Sequence, residues 1–398
     1  MKIGIVGAPN RGKSTFFKAC TLADVEIADR PFVTIKANTG VAYVKVDCVD
    51  SFFHTQCNPR FGFCLNHKRF VPVELLDVAG LVPGSYQGKG LGNEFLNDLR
   101  EADVLLQVID ISGGVNAVGE KVELNSYDPG NDIRFLEHEL NMWYAQILKK
   151  GWDRFSRQVK QEKQSIVKAL HKQLSGLKVT EYHVEYAIKK LGLDFEHPEL
   201  WNETQLSDLA KELRIKSKPV VIVANKIDLP GSKEAFQKLK KEFHEHFILP
   251  CSADAELALR ESLKKGLIQY VPGDNSFTTL SENLNEKQKH ALQFIQKEVL
   301  DKYESTGVQG VLNAAVFDFL KYIAVFPGGM NNLKDKQGNV LPDCFLLPEN
   351  STALDFAFKV HTDLGNGFIK AYDVKKRIIT GKEYVLHHLD VVEIVAKK

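Results

Sequence analysis

The chain has 398 residues, 44% of them hydrophobic and 26% charged, with a formal net charge of +1. That length exceeds one ordinary core and predicts two or three domains, while the near-neutral balance leaves charge to be read segment by segment. No apolar run approaches the ~18 residues of a membrane helix, the N-terminus enters a strand instead of a signal sequence, and six cysteines do not make a secreted disulfide framework, so a globular cytoplasmic protein with no membrane partner is expected.

The first element is the apolar strand Ile3-Gly4-Ile5-Val6, which runs into Gly7-Ala8-Pro9-Asn10-Arg11-Gly12-Lys13-Ser14 and then a helix through Thr15, Phe16, Phe17 and Lys18. G-x-x-x-x-G-K-[S/T] between strand and helix is a phosphate-binding loop. Its glycines let successive N–H groups face the phosphates, Lys13 reaches the β/γ oxygens, the Ser14 hydroxyl is placed for Mg²⁺, and the helix adds its positive end. The bland reading, a glycine-containing surface turn, does not account for the flanking strand and helix. A nucleoside triphosphate is therefore the expected ligand. Arg11 occupies a position that is commonly small or apolar, and faces either phosphate or solvent.

Cys48, His54, Cys57, Cys64 and His67 follow within twenty residues. Cys57-x6-Cys64-x2-His67, joined by His54 or Cys48, would supply four soft ligands for Zn²⁺. The spacings match no standard zinc ribbon and lack paired C-x-x-C knuckles, so a reduced hairpin with incidental cysteines is expected and zinc is the alternative. The strand LLDVAG at 75–80 then ends in D-x-x-G. Asp77 is placed to hold Mg²⁺ through a water, and the Gly80 N–H to detect the γ-phosphate. The glycine-rich stretch Gly84–Gly92 carries too little side-chain mass to order itself and reads as a mobile switch. A short helix from Asn93 leads into the strand ADVLLQVID.

From about Asp132 to Leu213 the pattern becomes helical, with Phe135, Leu136, Leu140, Trp143, Ile147 and Leu148 at three- and four-residue spacings. This segment is rich in Lys149, Lys150, Arg154, Arg157, Lys160, Lys163, Lys168, Lys172 and Lys178. A solvated face is the plain reading and a phosphate-backbone contact surface the alternative. Next, PVVIVANKID at 219–228 is a buried parallel strand ending in Asn225-Lys226-Ile227-Asp228. Asp228 can accept from the ring N–H and the exocyclic amine of guanine, which adenine cannot satisfy, so the base is expected to be guanine. Lys226 would lie along the purine plane and Asn225 would tie this loop to the phosphate loop. Leu249-Pro250-Cys251-Ser252-Ala253 adds a strand end and a Ser-Ala turn for the guanine oxygen.

Helical patterns continue through about Tyr303 and a compact last unit follows. There Thr352 is a candidate cap with Asp355 three residues later, ahead of ALDFAFKVH and the strand-like runs FIKAYDV and DVVEIVA. One helix on a small mixed sheet is a β-grasp layout.

The order and spacing of these motifs resemble the GTPase domain of translation-factor-related P-loop proteins. RPFVTIKANTGVAYV at 30–44 and LLDVAGLVPGSYQGKGLGNEFLNDLREADVLLQVID at 75–110 resemble the Obg-related GTPases, nearest the YchF (Obg-like ATPase) branch, over most of the chain. The resemblance implies an α/β P-loop GTPase domain with a mostly parallel sheet, split into 1–131 and 214–280 by an inserted α-helical, coiled-coil domain at 132–213. A helical connector at 281–306 and a C-terminal β-grasp (TGS) binding domain at 307–398 complete it. Thr34 becomes the switch residue whose hydroxyl closes on Mg²⁺. Relatives associate with ribosomes, which favours RNA contact by the basic helices. Several also prefer ATP and depart from N-K-x-D; this chain keeps it, so GTP is expected and ATP is the alternative.

Leu81 stands where many regulatory GTPases carry the glutamine that orients water, and leucine cannot hydrogen-bond a water. Hydrolysis then needs backbone groups, a partner's group or an ion. In related GTPases with that replacement a phosphate-loop asparagine helps hold K⁺, and Asn10 occupies the matching position, its plain reading being loop stabilisation. The expected function is a GTP-hydrolysing switch. A TGS-based adaptor with incidental hydrolysis is a second class; a small-molecule P-loop kinase is disfavoured by the base-specifying loop.

Overall fold

The computed structural model describes residues 1–21, 39–78, 84, 98–281 and 284–397. Thr34, Gly80, Leu81 and most of the glycine-rich stretch lie outside the described residues.

The apolar runs identified above assemble into one seven-stranded sheet. Its strands are β1 (Lys2–Val6), β2 (Thr39–Asp47), β3 (Phe63–Leu65), β4 (Lys68–Asp77), β5 (Val104–Asp110), β6 (Val220–Asn225) and β7 (Phe247–Cys251). The order is β2-β4-β1-β5-β6-β7 with β3 paired to β4. From β4 to β7 the neighbours are parallel, while β2 and β3 run antiparallel to β4. All seven residues of β5 are buried, as expected of a strand covered on both faces. The parallel strands therefore deliver the phosphate loop, Asp77, Asp110, Asn225 and Cys251 to one edge, the usual location of a ligand site in such sheets. Helix α1 (Lys13–Thr21) packs Phe16, Ala19 and Cys20 inward behind the loop.

Between β5 and β6 come α2 (Gly130–Lys149), α3 (Trp152–Gln161), α4 (Ile166–Leu174), α5 (Glu181–Leu191) and α6 (Glu203–Ser217). Leu136, Leu140, Trp143 and Leu148 of α2 share a core with Leu206, Leu209 and Leu213 of α6, and Trp152 stacks on Trp201 at 5.5 Å. Capping boxes at Thr180/His183 and Asn202/Gln205 open α5 and α6. The predicted stripe is confirmed in its centre, whereas Phe135 and Ile147 are only partly buried.

The chain then forms α7 (Ser232–Glu242), α8 (Ala253–Lys264), the hairpin β8 (Ile268–Tyr270) and β9 (Phe277–Thr279), α9 (Glu286–Phe294) and α10 (Val308–Asn313). The hairpin is not legible in the sequence, because strands of three residues carry too little alternation to register. Val308, Val311 and Leu312 pack into the same core as Ile3, Phe16 and Val44 of the GTPase sheet.

The last unit is a five-stranded mixed sheet in the order β11-β10-β14-β12-β13. Its elements are β10 (Tyr322–Pro327), β11 (Phe345–Pro348), α11 (Ala353–Val360), β12 (Phe368–Asp373), β13 (Ile378–Thr380) and β14 (Val391–Ala396). The parallel β10–β14 pair sits at its centre, and Ala353 and Phe356 of α11 pack on Val325, Leu347 and Val392. Thr352 caps α11 through a capping box with Asp355. This is the β-grasp layout expected of a TGS domain.

Candidate nucleotide-binding site

The two motif glycines are required by contact as well as by conformation. Gly7 has φ +149 and a Cβ there would lie 2.4 Å from the Val108 carbonyl oxygen; Gly12 has φ +94 and its Cβ would lie 2.3 Å from the Asn225 amide nitrogen. The loop therefore lies directly on β5 and on the NKID segment. Asn10 also adopts positive φ, at 60°. Its side-chain amide donates to the Gly119 carbonyl at 2.8 Å.

Lys13 folds back over the loop and donates to the Ala8 carbonyl at 2.9 Å. Burial pushes its ammonium pKa down, opposed by the charge of Asp77; burial likewise pushes the Asp77 carboxyl up, opposed by Lys13. Ser14 is exposed at the start of α1 and Asp77 is half-buried at the end of β4, beside Ile5 in register. Hydroxyl and carboxylate are the hard oxygen donors that suit Mg²⁺, so these two residues fit the ion the motif implies. Thr34 and Gly80 lie outside the described residues.

The Arg11 side chain does not face solvent, which corrects one of the two sequence-based alternatives. It is fully buried. The guanidinium makes a fork with the Asp132 carboxylate, at 2.5 and 2.9 Å, donates to the Asn116 carbonyl at 3.0 Å, and lies 5.2 Å from the Tyr127 ring centre. Only its backbone is available to a phosphate. The physical reason is the loop 112–129, which folds over the phosphate loop and leaves a long charged side chain no path to water; a buried guanidinium must then be paired. Asp132, in the first turn of α2, is a partner of the phosphate loop that sequence reasoning missed. Its signal is a carboxylate one turn before Leu136 on the apolar stripe of that helix. A second acid on the same face, Glu139, is also buried and accepts from the Gly84 N–H at 2.8 Å.

Asn225 joins three loops. Its amide donates to the Arg11 carbonyl at 3.1 Å and its oxygen accepts from the Ala253 N–H at 3.0 Å. Lys226, at φ 64°, pairs with the buried carboxylate of Asp110 at 2.8 Å. Asp110 in turn accepts from the Ser112 backbone and hydroxyl. Asp228 is half-buried, and Ser252 caps α8 by accepting from the Ala255 N–H. Burial, and next the charge of Asp228, push the Asp254 carboxyl up.

Two other predicted features are placed as follows. In the helical insertion Lys149, Lys160 and Lys178 are drawn into pairs with Glu203, Glu199 and Asp103. Arg154 and Arg157 on α3, Lys168 and Lys172 on α4, and Lys163 in the turn between these helices are all exposed. In the cysteine segment the structure brings together Cys48, Cys57 and Cys64 but replaces both histidines with Asp50. His67 binds Asp50 instead, at 2.8 Å, and His54 stays outside the group.

Comparison with known proteins agrees with this architecture. Residues 2–138 match the family described as 50S ribosome-binding GTPase, residues 223–328 the Obg-like GTPase YGR210-like, G4 motif-containing domain, and residues 334–396 the TGS domain. The chain is 46% identical to a GTP-binding protein of Methanocaldococcus jannaschii, covering 99% of this chain and 98% of that one. It is 27% identical to the ribosome-binding ATPase YchF of Buchnera aphidicola over 99% of this chain and 98% of that one. The crystal structure of a GTP binding protein from Pyrococcus horikoshii superposes with a TM-score of 0.80 at 38% identity, over 100% of both chains.

Proposed function

Because the chain belongs to the Obg-related P-loop GTPases, in the YchF branch with a C-terminal TGS domain, we propose that it is a GTP-hydrolysing switch acting in the cytoplasm on the ribosome or another RNA–protein assembly. The observation that carries guanine-nucleotide binding is the Asn225 bridge, which joins the phosphate loop, the NKID loop and the Ser252-Ala253 turn. In this reading the backbone of Gly7 to Thr15 cradles the phosphates, Lys13 neutralises them, and Ser14, Asp77 and Thr34 serve Mg²⁺. Gly80 senses the γ-phosphate, Asp228 selects guanine, Lys226 lies against the base, and Ser252 and Ala253 meet its oxygen.

The switch is supported by the inner face of α2, where Asp132 holds the phosphate loop and Glu139 holds Gly84, just after D-x-x-G. A nucleotide-dependent shift of either loop acts directly on the helix that begins the insertion. The division into 1–131 with 214–280, 132–213, 281–306 and 307–398 is proposed on the same basis. The surface basic side chains on α3 and α4 are the part of the insertion suited to RNA phosphates. With Leu81 unable to orient water, we assign the missing charge to K⁺ held with the help of Asn10, whose amide nitrogen is anchored to Gly119.

Competition of GTP against ATP for the purified chain, followed by hydrolysis with and without ribosomes, tests the reading. Preference for GTP and stimulation by ribosomes are expected. Equal competition by ATP would favour the second reading, an ATP-accepting enzyme like the relatives named ATPases. Absence of stimulation would leave the TGS adaptor.

A further inference from the structure

The hairpin that carries β2, β3 and β4 gathers four ligand atoms that the nucleotide site does not use. One atom each from Cys48, Asp50, Cys57 and Cys64 all lie within 4.8 Å of one another. Cys48 Sγ is 3.5 Å from Cys57 Sγ, and Cys64 Sγ is 3.8 Å from Asp50 Oδ2. Bonds of about 2.3 Å from sulfur to zinc at tetrahedral angles place sulfurs about 3.8 Å apart, so the group already has the dimensions of one coordination shell. We propose that Cys48, Asp50, Cys57 and Cys64 bind a single tetrahedral Zn²⁺ that braces the GTPase sheet where it meets the TGS domain.

The surroundings support a metal over incidental thiols. Asp50 is fully buried and Cys48 and Cys57 nearly so. A carboxylate in that position is costly unless a cation or several donors compensate it. Its two oxygens are oriented, one by the ring of His67 at 2.8 Å and the other by the Cys57 N–H at 3.0 Å. A histidine behind a carboxylate ligand is the arrangement that fixes ligand direction in metal sites. Cys48 directly follows β2, Asp50 and Cys57 lie in the segment that connects β2 to β3, and Cys64 is in β3. The β3–β4 turn, with Asn66 at φ 49° and His67 at φ 57°, returns His67 to Asp50. Three thiolates with one carboxylate select zinc over the hard cations that suit oxygen-only sites.

Position gives the site a role. Arg69, buried on β4, lies 3.6 Å from Cys57 Sγ and donates to the Leu341 and Pro342 carbonyls at 3.1 and 2.7 Å. One residue past Cys57, the Asn58 N–H donates to the Val340 carbonyl at 2.8 Å, and the Arg60 N–H reaches Pro342 at 2.9 Å. Residues 340–342 fall within the matched TGS segment. A cation among Cys48, Asp50, Cys57 and Cys64 therefore fixes the backbone from which these cross-domain bonds are made. The four ligands are separate from the nucleotide site and serve whichever nucleotide is bound.

Elemental analysis of the purified full-length chain is expected to find one zinc per molecule, absent from Cys57→Ser and Cys64→Ser and kept in Cys344→Ser, a cysteine outside the group. His67→Ala should keep the metal with affinity about 10–100-fold lower, read by competition with a chromogenic chelator. Metal removal should speed hydrogen exchange at the amides of Asn58 and Arg60. Should the serine variants fail to fold, Co²⁺ exchanged into the wild-type chain supplies the readout, through thiolate-to-cobalt charge-transfer bands of three-sulfur intensity. A folded wild-type chain with reactive thiols and no metal, a Cys48–Cys57 disulfide in place of metal, or stoichiometric iron would each overturn the assignment.

Discussion

Arg11 of the phosphate loop and Asp132 of helix α2 form a buried, forked ion pair 121 residues apart in sequence. Breaking such a pair by removing one partner leaves an uncompensated buried charge and costs about 3–5 kcal/mol. Asp132→Ala should lower the unfolding free energy by about that amount and weaken nucleotide binding, because Arg11 then has no anchor. Denaturant unfolding beside nucleotide titration checks both. A loss under about 1 kcal/mol would show that water reaches the site.

Asp228→Asn replaces an acceptor with a donor opposite the guanine N–H groups. Two hydrogen bonds to a charged acceptor are worth about 3 kcal/mol together, so GTP affinity should fall roughly 150-fold. Xanthosine triphosphate, which presents an acceptor where guanine has its amine, should bind the variant better than GTP does. Unchanged GTP affinity would remove Asp228 from the base site.

Hydrolysis in KCl should exceed hydrolysis in NaCl, and Asn10→Ala should abolish the difference. Removing the 2.8 Å bond to Gly119 can by itself disturb the loop, so binding is measured in parallel. A variant that binds normally and loses only the potassium response supports the ion; equal rates in both salts for the wild type would exclude it.

Arg154→Glu with Arg157→Glu, and Lys168→Glu with Lys172→Glu, reverse surface charges on α3 and α4. Each pair should weaken RNA binding and flatten its salt dependence, since every phosphate that is no longer neutralised takes about 0.7–0.9 from the slope of log affinity against log salt. GTP binding should be unaffected. The Lys160→Glu control, already paired with Glu199, should do less to the slope.

Lys218 is fully buried, its ammonium donating to the Arg100 and Ala102 carbonyls at 3.0 and 2.6 Å. Burial, ahead of repulsion from Lys178, pushes its pKa down to about 7. With an unfolded value of about 10.4, the unfolded chain binds more protons between those limits, so this residue makes stability rise with pH from about 7 to about 10. Urea midpoints across that range should increase, and Lys218→Met should flatten the trend. A wild-type midpoint that falls over the same range, with Lys218→Met unchanged, would contradict it.

The amino-acid sequence by itself carried the phosphate loop, the strand before each motif, the apolar stripe of α2 and the cap at Thr352, because these are local. A glycine spacing, a run of β-branched residues or a cap followed by Asp depends on a few neighbours, and its physics is complete within them. The same local reading reached the β-grasp layout of the last unit, and family resemblance extended it to a TGS domain and to the order of domains. What only the tertiary structure decided is how distant charges compensate one another. Arg11 needed Asp132, Lys226 needed Asp110, and the cysteine group took Asp50 where the spacing pointed to histidines. Arg11 and Lys226 lie more than a hundred residues from their partners, and burial selects such partners through the cost of an unpaired charge, which no local pattern records.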